Sequence, residues 1–193
     1  MRQLAWQEVL DLDLVAQGLP GKWRWRYVIT ERIAWFTRRL RIAESHRDNR
    51  GVCRLVYLFH RLWLDRVSER LSFDIPLGVF APGMSIAHRG TIIVNGNAVV
   101  GKNCRIHPGV TIGASHGKSP RIGQDVFVGP NALIIGGIVI GDGVVIGPGA
   151  LVNFDVAAGA ICLAPRALVK QTTRPAWTSP QSDLGLKGSN RGE

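Results

Sequence analysis

Histidine stands at two places in this chain where the surrounding pattern calls for another residue. His88 lies six residues before Val94, in step with a run of Ile and Val that recurs at every sixth position. His107 directly follows Ile106 of that run, where Gly is usual. Imidazole is the side chain best suited to take a proton from a hydroxyl near neutral pH. The two histidines are 19 residues apart, about one turn of an 18-residue coil, which sets them near one edge on neighbouring turns. Either one alone reads equally well as a hydrogen-bonded structural residue. A third interruption, Ala114 to Pro120, must leave the run as a loop, and loops on rigid scaffolds often carry function. Within it Gly117, Lys118 and Ser119 look like the end of a phosphate-binding loop. That signature needs Gly at position 112, which is Ile, and a helix after the loop. Nucleotide hydrolysis is therefore rejected.

The element that must position these residues is legible in the repeat itself. Val94, Val100, Ile106 and Ile112 are followed, after a ten-residue gap, by Ile122, Val128, Ile134, Ile140, Ile146, Val152 and Ala158. The residue two before each is small or apolar as well, for example Ala98, Cys104, Val110, Ala132, Ile138 and Val144. A hexapeptide period marks a parallel β-helix, in which one repeat cannot bury its apolar face alone and stacking makes the core. Three repeats form a triangular coil, and successive coils pair about 4.8 Å apart. Extending the phase backward through Ile92, Ile86 and Phe80 starts the coil near Phe73 to Pro76. The expectation is a mainly β fold of about five coils.

Composition sets limits on the rest. The chain has 193 residues and a net charge of +10, enough for one domain with an appendage. Residues 1–72 hold 14 Lys and Arg against 8 Asp and Glu, and five of the six tryptophans. Apolar spacing there predicts helices over Arg26 to His46 and Val52 to Leu71, the latter with a stripe of Val52, Leu55, Val56, Phe59, Leu62, Trp63 and Val67. This segment reads as a helical bundle packed on the coil. Alternatively, the alternation Lys22, Trp23, Arg24, Trp25, Arg26 suits the anionic surface of a membrane. Nucleic acid is not expected, since no binding motif accompanies the charge. Three cysteines without a C-x-x-C pair argue against disulfides and zinc, and no metal is expected. Residues 170–193 read as a flexible tail. With no leader pattern and no membrane-length apolar run, a cytoplasmic protein is expected, possible membrane contact being at the inner face.

From Phe73 to Val169 the chain resembles the serine acetyltransferase family of hexapeptide-repeat, left-handed β-helix acyltransferases. The resemblance is carried by Phe73-Asp74-Ile75, by Ile86-Ala87-His88-Arg89-Gly90-Thr91, by Val110-Thr111-Ile112-Gly113 and by the Gly117-Lys118-Ser119 loop. It implies a left-handed coil over 73–169 and a catalytic dyad of Asp74 and His88. It also implies a homotrimer with active sites between subunits, and acetyl-CoA lying along the C-terminal coils. Departures from the pattern bear on the acceptor. Ala87 stands where serine-acetylating members carry Asp, and Ser119-Pro120-Arg121 replaces their Arg-His pair. The usual Gly-x-Pro-Ala-Arg ending is blurred to Ala164-Pro165-Arg166-Ala167. These differences turn the reading toward the colanic-acid and polysaccharide branch, whose acceptor is a sugar hydroxyl. Serine O-acetylation is the alternative, and a non-catalytic trimeric scaffold is the rival of another class.

The chemistry implied is direct. His88 takes the acceptor's proton as its oxygen attacks the thioester, and Asp74 orients the ring. Backbone N–H groups near Gly113, Ala114 and Gly117 receive the oxyanion. His107 and Arg89 contact the acceptor, and Lys118, Ser119, Ala132, Arg166 and Lys170 meet the coenzyme.

Overall fold

The computed structural model describes residues 4–47 and 52–168. Lys170 and the proposed tail lie outside the described residues. From Phe73 the chain winds through thirteen short strands that all pair in parallel, each with a strand of the coil before or after it. One sheet stacks β1 (Phe73–Asp74), β3 (Ile92–Val94), β6 (Thr111–Gly113), β9 (Leu133–Ile135) and β12 (Leu151–Val152). A second stacks β4 (Val99–Val100), β7 (Arg121–Ile122) and β10 (Val139–Ile140). The third stacks β2 (Ser85–Ile86), β5 (Arg105–Ile106), β8 (Phe127–Val128), β11 (Val145–Ile146) and β13 (Ile161–Cys162). The result is a triangular β-helix of about five turns, the fold of left-handed hexapeptide-repeat proteins.

The inward residues are those the six-residue period marks. Val94, Val100, Ile106, Ile112, Ile122, Val128, Ile134, Ile140, Ile146 and Val152 are all buried, as are Ala98, Cys104, Val110, Ala132, Ile138, Val144 and Ala150 two positions earlier. Burial pushes the Cys104 thiol up to about 11, so it packs as a small apolar group. Coils approach so closely at one corner that a Cβ on Gly101 would run into the backbone of Gly123, which is why Gly follows the inward residue there. Two assignments change. At the last turn Val156 is buried as its phase predicts, but Ala158 is exposed, where the second face is reduced to a single bridge between Ile140 and Val156. His88 is not inward either: it is exposed, and Ile86, Ile92 and Val94 are buried around it. The step from Ile86 to Val94 is eight residues, and the two extra ones push His88 and Arg89 out at a corner.

Among the described residues four helices precede the coil: α1 (Trp6–Ala16), α2 (Tyr27–Thr30), α3 (Arg32–His46) and α4 (Val52–Leu71). The single helix expected over Arg26 to His46 is broken at Glu31, whose φ of −124° and ψ of 75° leave the helical region. In α4 the apolar stripe faces outward: Leu55, Val56, Phe59, Leu62 and Trp63 are exposed, while Leu64, Val67 and Leu71 pack on the core. Both sides of its first three turns are apolar, so periodicity alone does not choose between them.

A buried ion pair fixes the helices to the first coil. Asp13 of α1 is wholly buried and accepts from Arg41 Nε of α3 at 2.7 Å. It also accepts from the N–H groups of Gly83 and Met84, both at 2.8 Å. Arg41 donates onward to the carbonyls of Phe80 and Ala81 and to Glu44. Burial works against the charge on Arg41, but Glu44 and Asp13 hold its pKa above the usual value. Among the described residues no helix is long and apolar enough to cross a membrane.

Candidate active site

The corner that carries His88 joins the third sheet to the first. Ala87 N–H still donates to Ile106 O at 3.0 Å, but the chain then leaves the ladder and returns when Gly90 N–H meets Leu71 O at 3.3 Å. Gly90 makes the return with φ 140°, a conformation that side-chain-bearing residues rarely adopt. His88 and Arg89 stand exposed at the apex. One turn up the same corner is His107, its ring centroid 6.4 Å from that of His88. The sequence spacing thus brings the two imidazoles together.

His107 is the more constrained of the pair. Its Nδ1 lies 3.2 Å from Val128 O, and because a carbonyl only accepts, Nδ1 carries the proton and Nε2 is the free lone pair. Its ring packs on Phe127 at 4.9 Å. Burial, helped by Arg105 and His88, lowers its pKa against the opposing pull of the Val128 hydrogen bond.

A cleft of about 410 Å³ opens beside His88. One wall is the corner itself, with Ile86, Ala87 and Arg89; the other is the junction of α2 and α3, with Thr30, Glu31, Arg32 and Ile33. Glu31 and Arg32 were not among the residues the sequence suggested. Their membership depends on how the helices dock, and the break at Glu31 that places them is a feature of the structure that the helical spacing did not signal.

Asp74 stands on the outer face of the first sheet, in register with Ile93, and the loop leaves that sheet at its edge with the second. Asp74 faces outward from β1 into a cleft of about 690 Å³ shared with Arg47, Arg61, Asp65, Glu69 and Asn97. Among the described residues no hydrogen bond or ion pair joins it to His88. The loop is a hairpin: Ser115 and Lys118 exchange backbone hydrogen bonds of 2.9 and 3.0 Å. His116 and Gly117 between them have φ of 50° and 73°, as a type I′ turn requires. Ser119 Oγ donates to Asn95 Oδ1 at 2.9 Å, which ties the loop to the corner beside Asp74. The N–H groups of Ala114 and Gly117 donate to no protein group among the described residues. Lys118 and Arg166 are exposed. Ala132 is fully buried, and both its backbone groups are used within the coil, so it offers a coenzyme no surface. The described residues hold no cluster of three or more His, Cys, Asp or Glu suited to a metal.

The fold and site define a class, that of hexapeptide-repeat β-helices with an exposed histidine corner and a helical prelude. Residues 119–153 match the family model described as bacterial transferase hexapeptide (six repeats). The chain is 36% identical over 122 residues to serine acetyltransferase 1, chloroplastic, of Arabidopsis thaliana, a match that covers 55% of this chain and 39% of the relative. It is 37% identical over 97 residues to the probable serine acetyltransferase 1 of Oryza sativa subsp. japonica, covering 47% and 32%. The chain thus spans less than half the length of these curated relatives. Among solved structures it is similar to serine acetyltransferase isoform 3 of Entamoeba histolytica, with a TM-score of 0.68 at 20% identity over 93% of this chain and 64% of that one. At such identity the likeness shows the fold alone. Serine acetyltransferase from Brucella abortus strain S19 matches with a TM-score of 0.62 and 27% identity over 79% and 63%.

Proposed function

We propose that this chain is an acetyl-CoA-dependent O-acetyltransferase whose acceptor is the hydroxyl of serine, with His88 as general base. The observation that carries this reading is the exposed His88 corner, two residues longer than the repeat requires and opening on a cleft of about 410 Å³. The serine acetyltransferases among the curated relatives support the choice of acceptor over the sugar hydroxyl suggested by Ala87 and by Ser119-Pro120-Arg121. His88 removes the hydroxyl proton as the oxygen attacks the thioester carbonyl. Collapse of the tetrahedral intermediate expels the coenzyme thiolate, which takes up a proton and leaves an O-acetyl ester. The free N–H groups of Ala114 and Gly117 suit the oxyanion, while Lys118 and Arg166 suit the phosphates of the coenzyme.

His88 stands at one edge of the first sheet and Asp74 on that sheet's outer face, with no hydrogen bond between them within the described chain, and in this reading the dyad is completed between copies. In a closed ring with heterologous contacts, one edge of each chain meets the other edge of its neighbour. The first sheet lies between these two edges, and its outward residues Ile93, Leu133 and Leu151 are exposed and apolar. Such a face suits burial in a trimer. Asp74 of one copy then orients His88 of the next, and the hairpin is brought to the same site.

The test is release of free coenzyme A from acetyl-CoA, with L-serine in one set and sugar acceptors in another. Turnover with L-serine is expected. Turnover with sugars alone restores the polysaccharide reading, and absence of turnover with either overturns the proposal.

A further inference from the structure

The cleft beside His88 carries charges that the transfer step does not use. Glu31, Arg32 and Arg89 line it together with His88 and Ala87. Among the described residues none of the three charged groups makes an ion pair. Glu31 is half-buried where α2 ends and α3 begins. Its N–H donates to Tyr27 O at 3.1 Å and its carbonyl accepts from Trp35 N at 3.0 Å, so its backbone is held on both sides. Arg32 opens α3, and Arg89 shares the corner apex with His88. Ala87 adds only a methyl to the opposite wall, which leaves the space open.

Unpaired charges of both signs facing one concave space suit a small ligand that bears both signs itself. A neutral sugar would offer these groups hydroxyls but no counter-charge, and a purely anionic acceptor would meet the carboxylate. We propose that Glu31 holds the ammonium, and Arg32 with Arg89 the carboxylate, of a zwitterionic hydroxy amino acid whose hydroxyl is delivered to His88. This inference rests on the O-acetyltransferase reading above and assigns its acceptor specificity to the helical segment.

Steady-state kinetics on the wild-type chain, Glu31→Gln and Arg32→Met test it, with L-serine as acceptor and two fragments of serine as competing inhibitors. Ethanolamine keeps the ammonium and lacks the carboxylate; 3-hydroxypropionate keeps the carboxylate and lacks the ammonium. Each substitution raises the KM for L-serine roughly tenfold or more, as expected for a lost charge-assisted contact, and leaves the KM for acetyl-CoA unchanged. Glu31→Gln weakens inhibition by ethanolamine and spares that by 3-hydroxypropionate, and Arg32→Met does the reverse. An unchanged KM for L-serine, or equal loss toward both fragments, overturns the inference while the transferase reading stands. A wild-type chain that transfers acetyl to sugars and never to L-serine removes that reading and this inference with it.

Discussion

His88 owes its place to an insertion, and its exposure makes its contribution separable from folding. The residue is outside the core and the corner backbone is held by Ala87 and Gly90, so His88→Ala is expected to fold and to bind acetyl-CoA. Its kcat should fall roughly 10²- to 10⁴-fold, the usual contribution of a general base; single-turnover acetyl transfer checks this. His107→Phe should cost far less, because Nδ1 of His107 is committed to Val128 and its ring lies on Phe127. A greater loss at His107 than at His88 would reverse the two roles. The sequence singled out both histidines because they break a pattern. It placed His88 in the wrong phase because Ile92 and Val94 are both apolar, and the two-residue insertion is invisible where either register looks acceptable. Glu31 and Arg32 were beyond reach for a different reason: nothing in a helix's own sequence says which corner of a β-helix it will rest against.

The helices are joined to the coil by charge as well as by apolar packing, and this makes their docking sensitive to single substitutions. Arg41→Met leaves Asp13 buried without its counter-charge, which should destabilise the chain by roughly 3–5 kcal/mol. Urea unfolding measures this, and a midpoint equal to the wild type would contradict the role of the pair. Between α3 and α4, Arg39 Nη1 donates to Nδ1 of His60 at 3.0 Å, with Arg39 stacked over Trp35 at 3.9 Å. Burial, then the neighbouring Arg39 and Arg38, pull His60 down to about 4. In the unfolded chain a histidine titrates near 6.5. Between these values the unfolded state binds the proton and the folded state does not, so this contribution is present above about 6.5 and is lost as pH falls toward about 4. Thermal unfolding at about pH 5 and about pH 7.5 should show a larger drop for the wild type than for His60→Gln, which keeps an acceptor and does not titrate. Equal drops would show that His60 contributes nothing. Period alone located α3 and α4, but it chose the outer face of α4. Leu55, Phe59 and Leu62 are as regularly spaced as Leu64, Val67 and Leu71, and only the docked partner distinguishes them.

At the scale of the whole molecule the β-helix was the most legible feature, because each inward position repeats the same demand and errors in one turn are outvoted by the others. The repeat itself did not show how the site is distributed around it; only the resemblance implied sites between subunits. Asp74 and His88 are fourteen residues apart in sequence, a separation that carries the chain from the face of the first sheet almost once around the triangle to the edge where His88 stands. The hairpin, stabilised by Ser115 and Lys118 and tied to Asn95, leaves the sheet that carries Asp74 at the edge away from His88. On the proposed reading such a site is completed where two copies meet. Mixing settles this most directly. The His88→Ala and Asp74→Asn chains, each expected to be strongly impaired alone, are co-expressed with different tags, purified through both, and assayed for coenzyme A release with L-serine. Mixed assemblies contain interfaces in which an intact His88 faces an intact Asp74, so activity well above that of either variant alone is predicted. Mixed assemblies no more active than their parents would contradict a site shared between copies and would return the two residues to separate tasks.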